Sequence, residues 1–234
     1  MDCKINAGYC PICEEVVNFH EYGEWLRDYY ICGKCQSIPR QRAIINALNL
    51  FVPSWRELVI HESSPGGKSS DYIKAKCHNY SESQYYPNTN NGEMVGGVRC
   101  ENLECLTFDN SSFDIFITQD VFEHIFHPDK ALREIERVLK PNGAHIFTVP
   151  WSTEYNTCQR ARLEVSKVEY FKPPVYHGNP IDDSGSLVVF DWGIDFIDFL
   201  HKNSNMYTTI YLEKNRSMGL DGEMLHVFIS KKYI

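Results

Sequence analysis

The chain is 234 residues long, 43% apolar and 23% charged, which suits one sizeable α/β domain with a small appendage rather than two full domains. No apolar run approaches the roughly 20 residues that span a bilayer. Met1 to Cys13 has no apolar stretch of a signal peptide, so a cytoplasmic protein without a membrane partner is expected. A formal net charge of −8 argues against a nucleic-acid partner, because phosphate backbones are met by clustered Lys and Arg. Arg40 with Arg42 is the nearest approach to a basic patch.

Cys10-Pro11-Ile12-Cys13 and Cys32-Gly33-Lys34-Cys35 spell C-x2-C-x18-C-x2-C, a zinc-site spacing. Two residues between cysteines let a tight turn aim both thiolates at one ion, and two such turns complete a tetrahedron. Free buried thiols or a redox pair are the alternatives. With Cys10, Cys13, Cys32 and Cys35 as ligands there is no open position, so the ion would be structural, and it would stabilise a segment too small for its own core. Cys3, Cys77, Cys100, Cys105 and Cys158 have no paired spacing and read as small buried hydrophobes. The stretch Phe19 to Tyr30, with Trp25, Tyr29 and Tyr30, reads as a hairpin packing its rings under the metal, or else as a lid over the main domain. From Pro39, the apolar positions Ala43, Ile44, Ala47, Leu48 and Phe51 predict a helix that ends before Pro53. A zinc-ribbon-like module with its connecting helix is thus expected over residues 1–50.

Residues 51–234 alternate strand-like and helix-like segments, the pattern of a mostly parallel sheet covered by helices. Arg56 to Glu62 reads as a first strand running into the small-residue turn Ser63 to Ser70, then a helix through Tyr72, Ile73 and Cys77. Strand, glycine-containing turn and helix is the arrangement that holds a cofactor at the C-terminal edge of a sheet. The turn lacks G-x-G-x-x-G and the P-loop spacing, so neither a dinucleotide nor a nucleotide phosphate is indicated. Phe113 to Asp120 reads as a doubly buried strand, Pro128 opens an amphipathic helix, and Ala144 to Val149 is the next strand after Lys140-Pro141-Asn142-Gly143. Leu187 to Phe190, Gly193 to His201, Tyr207 to Leu212 and Leu225 to Lys231 supply the remaining elements.

The ordered series Asn102 to Phe108, Ser112-Phe113-Asp114, Asp120-Val121-Phe122-Glu123-His124-Ile125 and Arg137 to Gly143 resembles the class I S-adenosylmethionine-dependent methyltransferases. The closest branch is the small-molecule group, over about Leu58 to Pro150. The segments Tyr176 to Pro180 and Gly185 to Val189 resemble members that carry a zinc knuckle. The resemblance implies a Rossmann-like sheet of seven strands, the last antiparallel, and S-adenosylmethionine as cofactor. It implies Glu62 as the acid closing the first strand, with Ser63, Ser64, Gly66 and Gly67 in the loop under the methionine part of the cofactor. Asn102 stands where relatives place an adenine-contacting Asp, Leu103 beside it offers backbone, and Gln119 and Asp120 face the methionine end. Two departures matter. The first loop lacks the family's E-x-G-x-G-x-G, and the ribose-binding carboxylate has no clean counterpart, leaving Glu82 or the polar substitutes Ser81, Ser83 and Tyr85.

Methyl transfer from a sulfonium is an in-line displacement, so the protein chiefly supplies geometry and, for a hydroxyl acceptor, a base. His124 with Asp120 is the first candidate, His177 the second and His127 the third; either of the first two histidines could instead serve as a loop-holding hydrogen-bonder. His61, inside a strand, reads as a core histidine. The long stretch Trp151 to Pro180 is expected to choose the acceptor, with Trp151, Tyr155 and Tyr176 either stacking on a sugar ring or packing as an insertion. The acceptor implied by the family branch is a small molecule, sugar-linked by association. An RNA or protein methyltransferase docking through the zinc module, or a non-catalytic cofactor-binding protein, are the other uses of such a fold.

Overall fold

Three short strands bring the four N-terminal cysteines together in a computed structural model that describes residues 4–165, 167–179, 181 and 183–233; Cys3 and Pro180 lie outside the described residues. Strands β1 (Lys4–Cys10), β2 (Glu15–Glu21) and β3 (Tyr30–Cys32) form an antiparallel sheet, and the one-turn helix α1 (Leu26–Tyr29) sits between β2 and β3 in the chain. Its core is small: Cys10, Phe19, Tyr30 and Cys32 are buried together. Trp25 and Tyr29 are exposed, so only part of the aromatic stretch packs under the cysteines.

Helix α2 (Pro39–Phe51) begins at the expected proline, where Gln41 accepts the Ile38 N–H at 3.2 Å and so holds the first turn. Ile44, Ala47 and Leu48 bury against Ile60, Ile115, Ile117, Ile146 and Ile229, so α2 is part of the layer covering the large sheet. Each such aliphatic side chain contributes about 1.5–3 kcal/mol by leaving water. The first parallel strand, β4 (Ile60–Ser63), is shorter than expected. Trp55–Glu57 is a 3-10 turn instead, fixed by the buried Trp55, whose Nε1 donates to Asn49 Oδ1 at 2.9 Å.

Helix α3 (Lys68–Lys76), β5 (Tyr80–Gln84), β6 (Met94–Val95) and β7 (Val98–Cys100) follow, then β8 (Phe113–Gln119), α4 (Pro128–Val138) and β9 (Leu139–Thr148). The C-terminal elements are α5 (Phe196–Asn203), β16 (Met206–Tyr211) and β17 (Val227–Lys232). The expected insertion between β9 and α5 is built of antiparallel ribbons: β10 (Cys158–Gln159) with β15 (Phe190–Asp191), β11 (Ala161–Glu164) with β12 (Lys167–Tyr170), and β13 (Tyr176–His177) with β14 (Ser186–Leu187).

The large sheet runs β16-β17-β9-β8-β4-β5-β7-β6. Parallel pairing joins β9, β8, β4, β5 and β7, while β17 is antiparallel to both its neighbours. The seven expected strands are present, with the two-residue β6 added as an antiparallel edge. One face is covered by α2 and α3; on the other, α4 and α5 bury Leu132, Ile135, Phe196 and Leu200 against Phe116, Phe147 and Phe228. Among the described residues no helix is long and apolar enough to cross a membrane. Two readings need correction. Cys105 is exposed and Cys158 only partly covered, unlike the buried Cys77 and Cys100. Arg42 is no surface patch: it is fully buried, donating to the carbonyls of Gly219 and Tyr30 at 2.7 Å, and it ties the small sheet to the large domain.

Candidate active site

The four cysteine sulfurs lie within 4.8 Å of one another, with Cys10 to Cys35 and Cys13 to Cys32 each at 3.8 Å. Tetrahedral zinc–sulfur bonds of about 2.3 Å place thiolates about 3.8 Å apart. The Cys10 thiol is pushed up by the neighbouring Cys32 and Cys35 and by burial. Donor type, count and spacing therefore fit a closed, four-thiolate zinc site.

At the C-terminal edge of the sheet, β4 delivers Glu62, which is fully buried. Its carboxylate accepts from Gln119 Nε2 at 2.7 Å, Ser70 Oγ at 2.8 Å and the Tyr80 hydroxyl at 2.8 Å. Burial pushes this carboxyl up, and the three donors act against that. Glu62 and Gln119 thus brace the loop from β4 to α3. Within that loop Ser63 is buried, Ser64 is left-handed at φ 55° and donates its N–H to Ser83 O, and Gly66 has open space where a Cβ would sit. Gly67 differs: its φ is +80°, and a Cβ there would come within 1.9 Å of Gln41 Nε2. The glycine makes room for a side chain of α2.

Asp120, just after β8, is held by residues the sequence did not assign to it. Arg27 Nη2 lies 2.8 Å from Asp120 Oδ2 and Arg40 Nε 3.5 Å from the same oxygen. Thr148 Oγ1 donates to Asp120 Oδ1 at 2.8 Å. Burial raises the Asp120 carboxyl, but Arg27 and then Arg40 outweigh it and hold the group below its usual range. Asp120 is therefore an anchored anion, which corrects its reading as part of a catalytic base pair. Its backbone is left-handed at φ 51°, a strained conformation for a residue other than glycine and one that gathers at functional sites. Two guanidinium groups face this one carboxylate; Arg40 Nε is turned to it, and Arg27 Nε is buried without a hydrogen-bond partner. The surplus positive charge suits a second anion, such as the carboxylate at the methionine end of the cofactor.

The adenosine end is less furnished. Asn102 bridges to Cys105 in the backbone, and its Oδ1 accepts from Glu104 N at 2.9 Å; Leu103 beside it is buried. Ser83 is committed to His61, whose Nε2 lies 2.9 Å from its hydroxyl, so strand alternation turns it into the core and removes it as a ribose ligand. Glu82 pairs with Lys74, and Tyr85 is the exposed polar group past β5. His61 is fully buried between Ser81 and Ser83, and burial lowers it to about 3, as a satisfied core histidine.

Beyond Asp120, a 3-10 turn over Phe122–His124 presents Glu123 and His124, and β13 brings His177 across to them. The His124 and His177 rings meet edge-on at 5.1 Å. His124 Nδ1 lies 2.8 Å from Leu187 O, and since a carbonyl only accepts, Nδ1 carries the proton. Nε2 is then free toward Glu123. Glu123 was named in the motif but given no role; its side chain is 1% exposed and both oxygens lack hydrogen-bond partners. His124 Nε2 and His177 Nδ1 are each 3.7 Å from Glu123 Oε1, too far for a direct hydrogen bond. The Glu123 carboxylate raises His177 against the opposing effect of burial, and the charges of Asp120 and Arg27 also reach it. His127 stands apart at the start of α4, its N–H donating to Glu104.

Glu123 and His177 line a pocket of about 250 Å³ with Ser152, Phe190, Asp191 and Trp192. Trp192 carries a buried Nε1 without a partner. Of the aromatics expected there, Trp151 packs on His226 and Phe228 and donates to Gly193 O, while Tyr155 and Tyr176 are exposed. No sequence signal pointed to Trp192 or to Arg27; both depend on the insertion and the small sheet folding back over the sheet edge.

Residues 69–147 match the family described as "Methyltransferase domain". The sarcosine/dimethylglycine N-methyltransferase of Aphanothece halophytica is 30% identical over 120 residues, covering 48% of this chain and 39% of that protein. The mitochondrial 2-methoxy-6-polyprenyl-1,4-benzoquinol methylase of Caenorhabditis elegans is 30% identical over 95 residues, covering 39% of this chain and 28% of that protein. The matched part is thus less than half the length of either curated relative. A solved S-adenosylmethionine-dependent methyltransferase from Mesorhizobium loti shares the fold at a TM-score of 0.51 and 12% identity, over 81% of this chain and 98% of that one.

Proposed function

We propose that the chain is a class I S-adenosylmethionine-dependent methyltransferase that transfers the cofactor's methyl group to a small-molecule acceptor seated beside Glu123 and His177. The observation that carries this reading is the junction at Asp120: Arg27 and Arg40 converge on it with one positive charge more than that carboxylate balances, at the sheet edge where the family places the methionine end of the cofactor. The cofactor would lie along Glu62 to Gly67, with Asn102, Leu103 and Tyr85 toward adenosine and Gln119 and Asp120 toward methionine.

The acceptor's nucleophile attacks the methyl carbon in line with the carbon–sulfur bond, whose electron pair returns to sulfur and neutralises the sulfonium. Orientation accounts for most of the rate. Where the nucleophile is a hydroxyl, His124 through Nε2, or His177, receives its proton, while Asp120 positions the cofactor through the two arginines. Sugar-linked acceptors come first, because the pocket lining combines Phe190 and Trp192 with the polar Glu123, His177, Ser152 and Asp191. A structural zinc on Cys10, Cys13, Cys32 and Cys35 belongs to this reading. So does the division into a 1–50 module with connecting helix and a 51–234 methyltransferase domain, joined by Arg42.

Titrating the zinc-loaded protein with S-adenosylmethionine and S-adenosylhomocysteine tests it. Stoichiometric binding of both, followed by turnover on a nucleotide-linked or phosphorylated sugar, is expected. No binding of either at millimolar concentration overturns the reading, and binding without turnover on any acceptor makes the chain a cofactor-binding protein.

A further inference from the structure

Glu123, His124 and His177 form a second cluster of metal-type ligands, separate from the cysteines, whose donor atoms all lie within 4.8 Å of one another. Three features mark it as more than a chance meeting. The Glu123 carboxylate is buried with neither oxygen hydrogen-bonded, an arrangement that costs several kcal/mol for an uncompensated charge. His124 donates Nδ1–H to a backbone carbonyl, the outer contact that typically fixes the tautomer of a metal-bound histidine and leaves its other nitrogen as a lone pair. That lone pair and His177 Nδ1 both face the same carboxylate oxygen at 3.7 Å. Lone pair against anion is repulsive unless a cation lies between them. Zinc–nitrogen and zinc–oxygen bonds of about 2.1 Å let donors up to about 4.2 Å apart share one ion, so both histidine–carboxylate separations fit.

We propose that Glu123, His124 and His177 bind a divalent transition-metal ion of the zinc type at the wall of the acceptor pocket. Two imidazoles and a carboxylate are the ligand set of zinc sites that keep a position open. His177 is 43% exposed and lies on the pocket lining, so the open position faces the acceptor. The role of the ion rests on the methyltransferase reading: it takes a hydroxyl oxygen of the acceptor as its further ligand and lowers that hydroxyl's pKa. With both histidine nitrogens on the ion, neither serves as the base: the hydroxyl proton leaves to solvent, the metal-held oxygen attacks the methyl carbon, and the carbon–sulfur electron pair goes to sulfur. The metal does not change oxidation state. This selects acceptors that bring a hydroxyl to the pocket wall beside His177.

The test is metal binding by the full chain, read without turnover. The protein is loaded with Co²⁺, dialysed, and examined for metal content by elemental analysis and for its visible spectrum. Thiolate-bound cobalt gives intense charge-transfer bands, while cobalt on nitrogen and oxygen gives only weak bands. One ion beyond the four-cysteine ion is expected, and it should be lost in His177→Ala and in the isosteric Glu123→Gln with the thiolate bands unchanged. Unchanged bands show that the cysteine module is intact, and unchanged far-ultraviolet circular dichroism shows that the large domain is folded in each variant. A wild-type chain holding only the four-cysteine ion, its Glu123 and histidines sharing a proton, overturns the proposal. Retention of the additional ion in both variants overturns it too. Titration of the same samples with S-adenosylhomocysteine separates the two readings, since absent cofactor binding with the additional ion present defeats the methyltransferase reading alone.

Discussion

Arg27 and Arg40 show how much one position can carry. Arg27 is 6% exposed in its side chain and gives its closest contact to Asp120, 93 residues away in sequence. Replacing it with Met keeps the length of the side chain but removes the donor. Hydrogen bonds to charged groups contribute about 1.5–3 kcal/mol, so Arg27→Met should weaken S-adenosylhomocysteine binding at least tenfold by calorimetry. Affinity equal to wild type would show that the guanidinium serves Asp120 alone. Gly67 makes a second case. Gly67→Ala forces a β-carbon into Gln41 and holds it at a positive φ, so a loss of about 1–2 kcal/mol in urea unfolding is expected. Adding Gln41→Ala relieves the collision but leaves the backbone strain, so the double variant should recover only part of the loss.

The three-stranded sheet is the element least able to stand by itself. Its buried core is four residues, far below what a free-standing unit needs, so the proposed zinc ion and Arg42 reaching Tyr30 and Gly219 are expected to supply its stability. Structural zinc contributes on the order of 10 kcal/mol to such modules. Removing it with a strong chelator, or by Cys13→Ser, should unfold the sheet while the large domain keeps its helical circular dichroism. Cofactor affinity should fall with it by about tenfold or more, because Arg27 lies in α1 and Ser37, just before α2, is bonded to Cys32 N and Cys35 Sγ of the module. A chelated protein that binds S-adenosylhomocysteine at full strength would cut the link between the module and the cofactor site.

For the molecule as a whole, buried neutral histidines set how it responds to acid. His61 and His145 are fully buried, and burial lowers each to about 3. Arg99 acts in the same direction on His61. In the unfolded chain both titrate near the ordinary value of about 6.5. Below that pH the unfolded chain takes up protons that the folded chain refuses, so the stability they confer is full above about 6.5 and is lost progressively as pH falls toward 3. Each costs about 1.4 kcal/mol per pH unit within that window, or about 4 kcal/mol for the pair at pH 5. Denaturant unfolding at pH 7 and pH 5 should show a drop of this order. His61→Asn should roughly halve it; an unchanged drop would place the acid sensitivity elsewhere.

Much of this architecture was legible because it is written in local chemistry. The C-x2-C pairs, the proline starts of α2 and α4, the apolar run of β8 and the core role of His61 each follow from side-chain type and spacing over a few residues, where backbone geometry decides which atoms meet. The short β4 and the exposed Cys105 escaped because burial depends on what packs above them. The site divides in the same way. Glu62, Asp120, His124 and the four cysteines could be singled out from sequence. Only the tertiary structure decided that Asp120 is locked by Arg27 and Arg40, that Gly67 yields to Gln41, and that Glu123 faces His124 and His177 across an insertion. Those contacts join segments well separated in sequence. Their geometry is set by sheet order and helix packing, which no local pattern of residues encodes.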